Sequence, residues 1–442
     1  GKYFAQASYR HDASSRFHPD HRWGNFWSLG GAWILSKESF MEDITWIDFL
    51  KFKAAYGDQG NDNIGNFRYT KTFALVNAVN NPALLPNTQG NADISWEKNG
   101  NFSTGVEFGF LNNRISGNLE GFYRTTKDML MYFPLPMSYG YSGYYANVGN
   151  MMNGGVSLEL SAVPVKTRDF RWTINANITW QKNKITSLPD ARKTMEVEKI
   201  DDNGNVTTVQ GFSSGYTFFG EGESMYSYYT KKYVGVDHET GLPLYYKSIL
   251  DENGKPTGEV TVTDNFGEAT DYIVDVCPAH WFGGISTQFE YKGFDLSAQF
   301  NFQIGGKVYD SGYATLVSSP STRGGKGENI HADMLNAWTP ENPGSDIPRY
   351  VFNDQYAAQN SSRFLTNASY LSLENINFGY TLPTKLTRKA YIDKVRVYLT
   401  CENVWVWSKR QGLDPRQSFT GGSNNTYYSP IRTISGGLTV TF

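Results

Sequence analysis

The chain has 442 residues, a net charge of −3, 15% aromatic residues and a mean hydropathy of −0.48. It contains no apolar run of about 18 residues, which excludes a membrane-spanning helix, and no basic excess that would indicate a nucleic-acid partner. Its two cysteines, Cys277 and Cys401, form neither a metal motif nor a disulfide framework. A chain rich in aromatic residues and glycine yet polar overall is typical of a membrane β-barrel, because only alternate strand residues face lipid.

Twelve segments alternate apolar and polar residues with a period of two, the pattern of a β-strand with one apolar face. In chain order they are 3–10, 27–33, 50–56, 102–110, 115–123, 156–161, 172–181, 285–291, 294–303, 370–382, 395–402 and 434–442. Each has about the length that crosses a bilayer as a tilted strand. The alternation therefore predicts an all-β protein with twelve antiparallel strands.

The strand from 172 to 181 has the clearest pattern. Its apolar face is bracketed by Trp172 and Trp180, as expected of an aromatic belt at a membrane interface. All charged residues of the twelve segments fall on the opposite face, and a Lys or Arg on the lipid face would cost about 2–4 kcal/mol near the midplane. A soluble β-sandwich could also place its charges on one face, so this pattern alone leaves both folds open.

The lengths of the connections favour the membrane barrel. Long connections at 11–25, 58–100, 125–150, 183–280, 304–367 and 407–430 alternate with shorter ones at 35–48, 111–114, 163–169, 292–293 and 383–394. Long external loops and short periplasmic turns are the outer-membrane pattern, whereas a sandwich has no reason to keep every second connection short. Segment 183–280 is long enough to fold into hairpins of its own, and a short helix is expected at 330–337.

Two strands carry further predictions. In 370–382, Leu371 and Leu373 share one face while Ile376 and Phe378 fall on the other, so a β-bulge near Glu374 is expected to restore one continuous apolar face. The last segment ends the chain at Phe442, as a barrel's closing strand does, and is expected to pair with the strand that precedes it.

Several stretches resemble the SusC/RagA class of TonB-dependent transporters. The first is Arg10-His11-Asp12-Ala13-Ser14-Ser15-Arg16-Phe17 with the segment 22–26 that follows. The others lie at 50–61, 95–99, 110–114, 291–296, 367–383, 396–399, 402–403 and 412–415. The resemblance covers essentially the whole chain, residues 1–442, in order.

The resemblance implies a transmembrane antiparallel β-barrel of 22 strands in the bacterial outer membrane, of which this sequence supplies about 12 with long extracellular loops. The family's signal sequence, TonB-contacting segment and plug domain are not found in this sequence. We therefore expect the chain to be the C-terminal barrel portion, working with the rest of the same transporter.

The resemblance also implies energised import without catalysis or a cofactor. A nutrient is captured with a SusD-like surface lipoprotein, in a dimer of such pairs, and is drawn inward by the TonB complex. Oligosaccharides are the commonest ligand of the family, and peptides, as in RagA, are the minority. An outer-membrane adhesin or enzyme acting through its external loops is the alternative.

Polar-face positions supply candidates for the lining of the barrel lumen: Arg10, Lys51, Lys53, Glu107, Glu120, Glu159, Arg396 and Glu402. Glu107 and Glu120 could face each other across the 110–114 hairpin, but a hydrated pore lining is favoured over glycosidase chemistry. The acidic turns at 201–205 and 251–254 do not complete a calcium-binding EF-hand loop, and no metal site is predicted.

Clusters of tyrosines in the long connections are candidates for contact with the ligand or the lid protein. They are Tyr139, Tyr141, Tyr144 and Tyr145 in one loop, and Tyr226, Tyr228 and Tyr229 in another. Tyrosine offers a large contact area with a polar end, which suits stacking on a sugar ring. Packing between loops is an equally good interpretation of these residues.

Overall fold

The computed structural model describes residues 1–79, 81–200, 206–277, 279–318, 329–351, 359–410, 412–417 and 429–442. Its strands are β1 (Tyr3–Ala13), β2 (Trp23–Ile34), β3 (Ile47–Asn61), β4 (Thr72–Ala78), β5 (Asn81–Thr88), β6 (Glu97–Phe110), β7 (Ile115–Lys127), β8 (Leu130–Pro134), β9 (Gly143–Asn147), β10 (Asn150–Lys166), β11 (Phe170–Ser187), β12 (Met195–Ile200), β13 (Val206–Ser214), β14 (Thr217–Gly220), β15 (Ser227–Lys231), β16 (Tyr233–Val236), β17 (Pro243–Leu250), β18 (Pro256–Thr263), β19 (Asp271–Val276), β20 (Trp281–Tyr291), β21 (Phe294–Ile304), β22 (Lys307–Tyr309), β23 (Leu365–Asn367), β24 (Tyr370–Thr381), β25 (Lys394–Ser408) and β26 (Thr433–Thr441).

The helical elements are short. They are α1 (Ser311–Leu316), α2 (Thr384–Thr387) and 3₁₀ turns at Leu35–Lys37, Ser39–Met41, Met137–Tyr139, Asp190–Arg192, Ala332–Asn336, Ser362–Phe364, Arg388–Ala390 and Pro415–Gln417. Within the described ranges, no helix is both long enough and apolar enough to cross a membrane. The helix expected at 330–337 is present as the 3₁₀ turn Ala332–Asn336.

Twelve of the described strands form one sheet in the order β1-β2-β3-β6-β7-β10-β11-β20-β21-β24-β25-β26. They are the twelve segments predicted from alternation, which confirms that prediction. The strands run further than the alternation marked, because backbone pairing continues where the side chains at the strand ends become polar. The three longest connections are therefore 62–96, 188–280 and 305–369, rather than 58–100, 183–280 and 304–367.

The chain forms two compact units. The first comprises residues 1–162, 179–192 and 221–223, and the second comprises residues 163–178, 193–220 and 224–442. In the first unit, the connections after β3 and β7 fold into the hairpins β4–β5 and β8–β9. In the second unit, β12, β13, β14, β15 and β19 close into a small barrel, and β16, β17 and β18 form a separate sheet. The connection 183–280 thus has its own architecture, as expected.

The apolar faces of the long strands are exposed in both units. In the first unit they present Tyr9, Trp27, Leu29, Phe102, Leu119, Tyr123 and Val156 to the surroundings. In the second unit they present Ile285, Leu296, Phe378, Val397, Leu399, Ile434 and Leu438. A β-sandwich would bury these faces against a second sheet.

The buried apolar clusters lie in the connections instead. Phe17, Ile64 and Ile94 form one in the first unit, and Val197, Phe218 and Ile273 fill the small barrel of the second unit. The other two clusters found in the described residues are built around Val308 and around Phe364, again outside the twelve long strands. This arrangement excludes the soluble sandwich.

Two short turns depend on the left-handed backbone region. Leu111, Asn112 and Asn113 all have positive φ in the turn between β6 and β7. Lys292 and Gly293, with φ of 47° and 89°, connect β20 to β21 as the primed two-residue turns of hairpins do. Both hairpins occur where the sequence predicts them.

The predicted bulge is present in β24. Opposite β21, Gln299 pairs with Asn375 and Phe300 pairs with Leu373. Glu374 therefore has no residue opposite it in β21, and the residues that follow it change face. The pairing with β25 shifts at the same point, where Leu373 lies opposite Trp405 and Asn375 opposite Glu402. The bulge therefore keeps Leu371 and Phe378 on one exposed apolar face.

Glu38 organises the short connection after β2. Its carboxylate accepts hydrogen bonds from Trp33 Nε1 at 2.9 Å, from the Tyr3 hydroxyl at 2.7 Å and from Lys2 Nζ at 3.1 Å. These donors, Trp33 first, lower the pKa of the Glu38 carboxyl from its ordinary value of 4.5 to about 2. The ionised carboxylate thus holds the polar ends of two aromatic side chains at one end of the sheet.

Glu38 should make the stability of the fold depend on pH in the acidic range. Because its folded pKa is lower than its unfolded pKa, its contribution is complete above about pH 4.5 and is lost as the pH falls towards 2. We expect the difference in thermal stability between the wild-type chain and Glu38→Gln, measured in detergent, to shrink between pH 5 and about pH 2. A difference that stayed constant over this range would contradict the assignment.

Candidate functional site

Four of the predicted lumen residues form one ion-pair ladder in the first unit. Lys51 Nζ lies 3.2 Å from Glu107 Oε2, Lys53 Nζ lies 3.3 Å from Glu107 Oε1, and Lys53 Nζ lies 3.1 Å from Glu120 Oε2. The ladder crosses β3, β6 and β7 on their polar face, where each side chain stays roughly one-third exposed. Alternating charges of this kind give a hydrated wall that carries both signs.

Arg396 is the centre of a second polar cluster, in the second unit. Its guanidinium binds Asp295 through Nε at 3.0 Å and Nη2 at 2.5 Å, and Nη2 also donates to Asn377 Oδ1 at 2.7 Å. These residues project from the polar faces of β25, β21 and β24. Asp295 was not among the sequence candidates, although it lies on the same face as Arg396 two strands away.

The remaining three lumen candidates are not drawn into these clusters. Arg10 pairs with Asp12 of its own strand. In the described part of the chain, Glu159 and Glu402 make no side-chain hydrogen bond or ion pair, and they lie opposite Asn118 and Asn375 in the strand register. The lumen-lining role of all eight candidates remains a prediction.

The carboxylates of the ladder are not arranged as a catalytic pair. Glu107 and Glu120 share the Lys53 ammonium, whereas glycoside hydrolysis needs two carboxyl groups that flank a bound sugar. No group of three or more metal-ligating side chains occurs among the described residues. The acidic turn at 251–254 is closed internally, because Asp251 accepts backbone hydrogen bonds from Asn253 and Lys255. The turn at 201–205 lies outside the described residues.

The first tyrosine cluster divides into exposed and packed residues. Tyr139 is 65% exposed, and Tyr141 is partly exposed. Tyr144 stacks on Phe133, and Tyr145 packs against the Phe17 cluster, where Arg68 lies 5.0 Å over its ring. Contact with a ligand therefore remains open for Tyr139 and Tyr141, while Tyr144 and Tyr145 pack between loops.

The second tyrosine cluster is mainly structural. Tyr229 packs against Phe218 in the small barrel, and burial raises the pKa of its hydroxyl. Tyr228 is a strand residue paired with Thr217, and the Tyr226 carbonyl accepts a hydrogen bond from the Cys277 amide. All three rings are partly buried, so they offer less free surface than Tyr139.

Buried ion pairs anchor the long connections of the second unit, and sequence reasoning missed them. Arg416 binds Asp414 through Nε and Nη2, each at 2.8 Å, and its Nη1 lies 2.8 Å from Glu374 Oε1. Arg410 pairs with the buried Asp310, whose carboxylate also accepts the Tyr313 amide at the start of α1. The bulge residue Glu374 thus fixes the segment that contains Asp414 and Arg416 to the sheet.

The motif at 10–17 has a similar anchoring role in the first unit. Ser14 Oγ donates to Asp62 at 2.6 Å, and Arg16 Nη1 lies 3.3 Å from the other oxygen of the same carboxylate. Phe17 is fully buried between Ile64 and Ile94. These contacts hold the connection after β1 against the connection after β3.

The β4–β5 hairpin presents an exposed apolar surface in the first unit. No charged residue occurs from position 72 to 92. Leu75 is 74% exposed, Leu84 is 70% exposed and Val79 is 93% exposed. Exposed apolar patches of this kind are typical of interaction surfaces.

Comparison with known proteins identifies the family that shares this architecture. The family described as "TonB dependent receptor-like, beta-barrel" matches residues 1–264, more than half of the chain. The chain belongs to this TonB-dependent receptor family. It is accordingly a protein of the bacterial outer membrane, and the exposed apolar faces of its long strands are the faces that meet lipid.

Individual TonB-dependent receptors match the chain over its whole length. The TonB-dependent receptor SusC of Bacteroides thetaiotaomicron is 28% identical over 100% of the chain and 42% of its own length. The TonB-dependent receptor P3 of Formosa agariphila is 27% identical over 100% of the chain and 44% of its own length. The chain thus spans less than half the length of each relative.

A solved structure supports the same arrangement of strands. The structure described as the RagAB peptide transporter superimposes with a TM-score of 0.84 at 28% identity, covering 100% of this chain and 46% of that chain. The resemblance to SusC and RagA stated from the sequence motifs is therefore confirmed, as is a partial TonB-dependent barrel fold.

The ladder makes a measurable prediction about pairwise coupling. In a double-mutant cycle, Lys53→Gln and Glu120→Gln should couple by about 0.2–1 kcal/mol in urea unfolding, with less coupling at high salt. The matched control is Lys51→Gln with Glu120→Gln, residues of the same charges that share no ion pair. Equal coupling in both cycles would mean that the ladder contacts do not form.

Loss of the Arg416 ion pairs should lower the stability of the fold much more than loss of one ion pair of the ladder. Arg416→Met leaves the buried Asp414 and the Glu374 carboxylate without their cation, a change that costs about 3–5 kcal/mol when a buried pair is broken. We expect earlier thermal unfolding and faster proteolysis in the connection 407–430. The exposed Arg388→Met should behave as the wild type, and equal behaviour of the two variants would refute the anchor.

Proposed function

We propose that this chain is the barrel wall of a TonB-dependent importer that takes a nutrient across the outer membrane. The observation that supports the proposal is the set of long barrel strands, which have one apolar face and one polar face that carries charged side chains. The likeness to SusC and to the RagAB transporter supports it. In this proposal the long connections are extracellular, the polar face lines the lumen, and the TonB complex acts through the rest of the same transporter.

A SusD-like surface lipoprotein is the proposed partner at the extracellular end, and two such pairs form a dimer. The uncharged β4–β5 hairpin supports this partner, because Leu75, Val79 and Leu84 expose apolar area to water and a partner that covered this area would be stabilised by its burial. A two-stranded hairpin is marginal by itself, so a covering partner would also stabilise it. The exposed Tyr139 at the tip of the next long connection would add a contact with the lid or the ligand.

An oligosaccharide is the proposed ligand class. Tyr132 and Tyr139 are 43% and 65% exposed in the connection after β7, and aromatic rings can stack on the apolar faces of sugars. A peptide is the second candidate, since the similar RagAB structure is described as a peptide transporter. Both ligand classes suit a lumen lining that presents carboxylates and ammonium groups together. Uptake measurements are therefore needed to decide between them.

The proposed import should require energy from TonB. Cells that express the intact protein should accumulate a labelled oligosaccharide mixture, and deletion of TonB should abolish the accumulation. Oligopeptides of similar size serve as the competing ligand, and preferential uptake of peptides would replace the first ligand class by the second. Binding without uptake, or hydrolysis of the ligand by the purified protein, would contradict the import function.

The hairpin should determine how well the lipoprotein is held. We expect Leu75→Asn with Leu84→Asn to reduce co-purification of the lipoprotein at least several-fold, because two exposed apolar anchors are lost. Leu335→Asn is the control, since Leu335 is 89% exposed but lies outside the hairpin. Unchanged retention in the double variant would exclude the hairpin as the contact.

A further inference from the structure

The second unit contains a cationic cleft at the end of the sheet where the short turns lie. The cleft has a volume of about 580 Å³ and is bordered by the turn between β10 and β11 and the turn between β20 and β21. Six cationic side chains and three acidic side chains line it. This local excess of positive charge contrasts with the net charge of −3 of the whole chain.

The turns that border the cleft are fixed to one another. The Lys292 amide donates to the Asp169 carbonyl at 3.2 Å, and the Thr381 amide donates to the Gly293 carbonyl at 2.8 Å. Lys292 Nζ also lies 3.8 Å from Asp169 Oδ2. The rim is therefore held by backbone bonds, and a ligand would meet a preformed cleft.

Most of the acidic side chains in the cleft are already paired. Asp295 is held by Arg396, and Asp169 lies beside Lys292. Glu290 accepts a hydrogen bond from Gln288 Nε2 at 3.0 Å. These contacts account for Arg396 and Lys292 but leave the other cations of the cleft without a counter-ion.

Four cations of the cleft have no partner among the described residues. Lys166, Arg168, Arg171 and Lys394 are exposed, and among the described residues none of their side chains makes a hydrogen bond or an ion pair. Arg171 and Lys394 lie on the polar faces of β11 and β25, because Trp172 and Val395 occupy the apolar faces beside them. Like charges that line one cleft repel, and an anionic ligand would relieve the repulsion.

We propose that the cleft binds an acidic peptide segment, an extended stretch of Asp and Glu residues from another chain or domain. Several carboxylates spaced along a strand can pair with the four cations at once, and the two guanidinium groups can each hold a carboxylate in bidentate fashion. The polar-face position of Arg171 and Lys394 favours a peptide over a phospholipid headgroup, which would meet the opposite, apolar face. The inference rests on charge and geometry and does not require the import function.

The test uses the intact protein in a non-ionic detergent with fluorescein-labelled hexaglutamate as the probe. Fluorescence anisotropy should report binding that weakens steeply between 50 and 300 mM salt and weakens at least tenfold in the triple variant Arg168→Gln, Arg171→Gln, Lys394→Gln. The charge-matched control is Lys37→Gln, Lys385→Gln, Lys389→Gln, whose residues lie in the connections after β2 and β24 and do not line the cleft.

The outcomes separate the cleft from general charge effects. Binding that the first triple variant loses and the control keeps would support the acidic-peptide site. No binding above that of labelled hexaglycine, or equal weakening in both variants, would overturn it. Binding of vesicles of phosphatidylglycerol without binding of hexaglutamate would overturn it in favour of a lipid headgroup. Circular dichroism of each variant verifies that the strands are intact.

Discussion

The rest of the structure depends on one constraint, the pairing of every backbone polar group of a strand that lies in hydrocarbon. Without water, an unpaired N–H or C=O costs several kcal/mol, so strands must pair laterally along their full length. In the twelve-stranded sheet, antiparallel neighbours in chain order satisfy this requirement for the ten inner strands and for one side of β1 and of β26. Because side chains alternate across a strand, one face then meets lipid and the other can carry Lys51, Lys53, Glu107 and Glu120.

The connections show what happens where this constraint ends. Outside the sheet the chain buries apolar residues in the ordinary way, as Phe17 does between Ile64 and Ile94, and as Phe218 does inside the small barrel. Ion pairs then attach these connections to the strands. The bulge at Glu374 connects the sheet to the connections. It keeps the apolar face of the sheet continuous, and the Glu374 carboxylate binds Arg416.

The sequence was sufficient for the sheet because lipid imposes a strict alternation on each strand. The number of long strands, the bulge in β24 and the two-residue turn at Lys292 and Gly293 all followed from local patterns. The ladder was predicted only as four separate residues on one face, since its ion pairs depend on register. The Arg416–Asp414–Glu374 anchor joins Glu374 to Arg416, 42 positions later, and no local periodicity relates them. The same holds for the cationic cleft, which two distant turns form together with the ends of β24 and β25.

The most direct test of this account is a cysteine scan along β11 in reconstituted bilayers, after Cys277 and Cys401 have been replaced by serine. Single cysteines at Ile174, Ala176 and Ile178 should be shielded from a membrane-impermeant maleimide, and a label there should be quenched by brominated lipid acyl chains. Cysteines at Thr173, Asn175 and Asn177 should give no lipid quenching. A strict period of two is the predicted result, and equal lipid quenching on both faces would contradict a strand with one lipid-facing side.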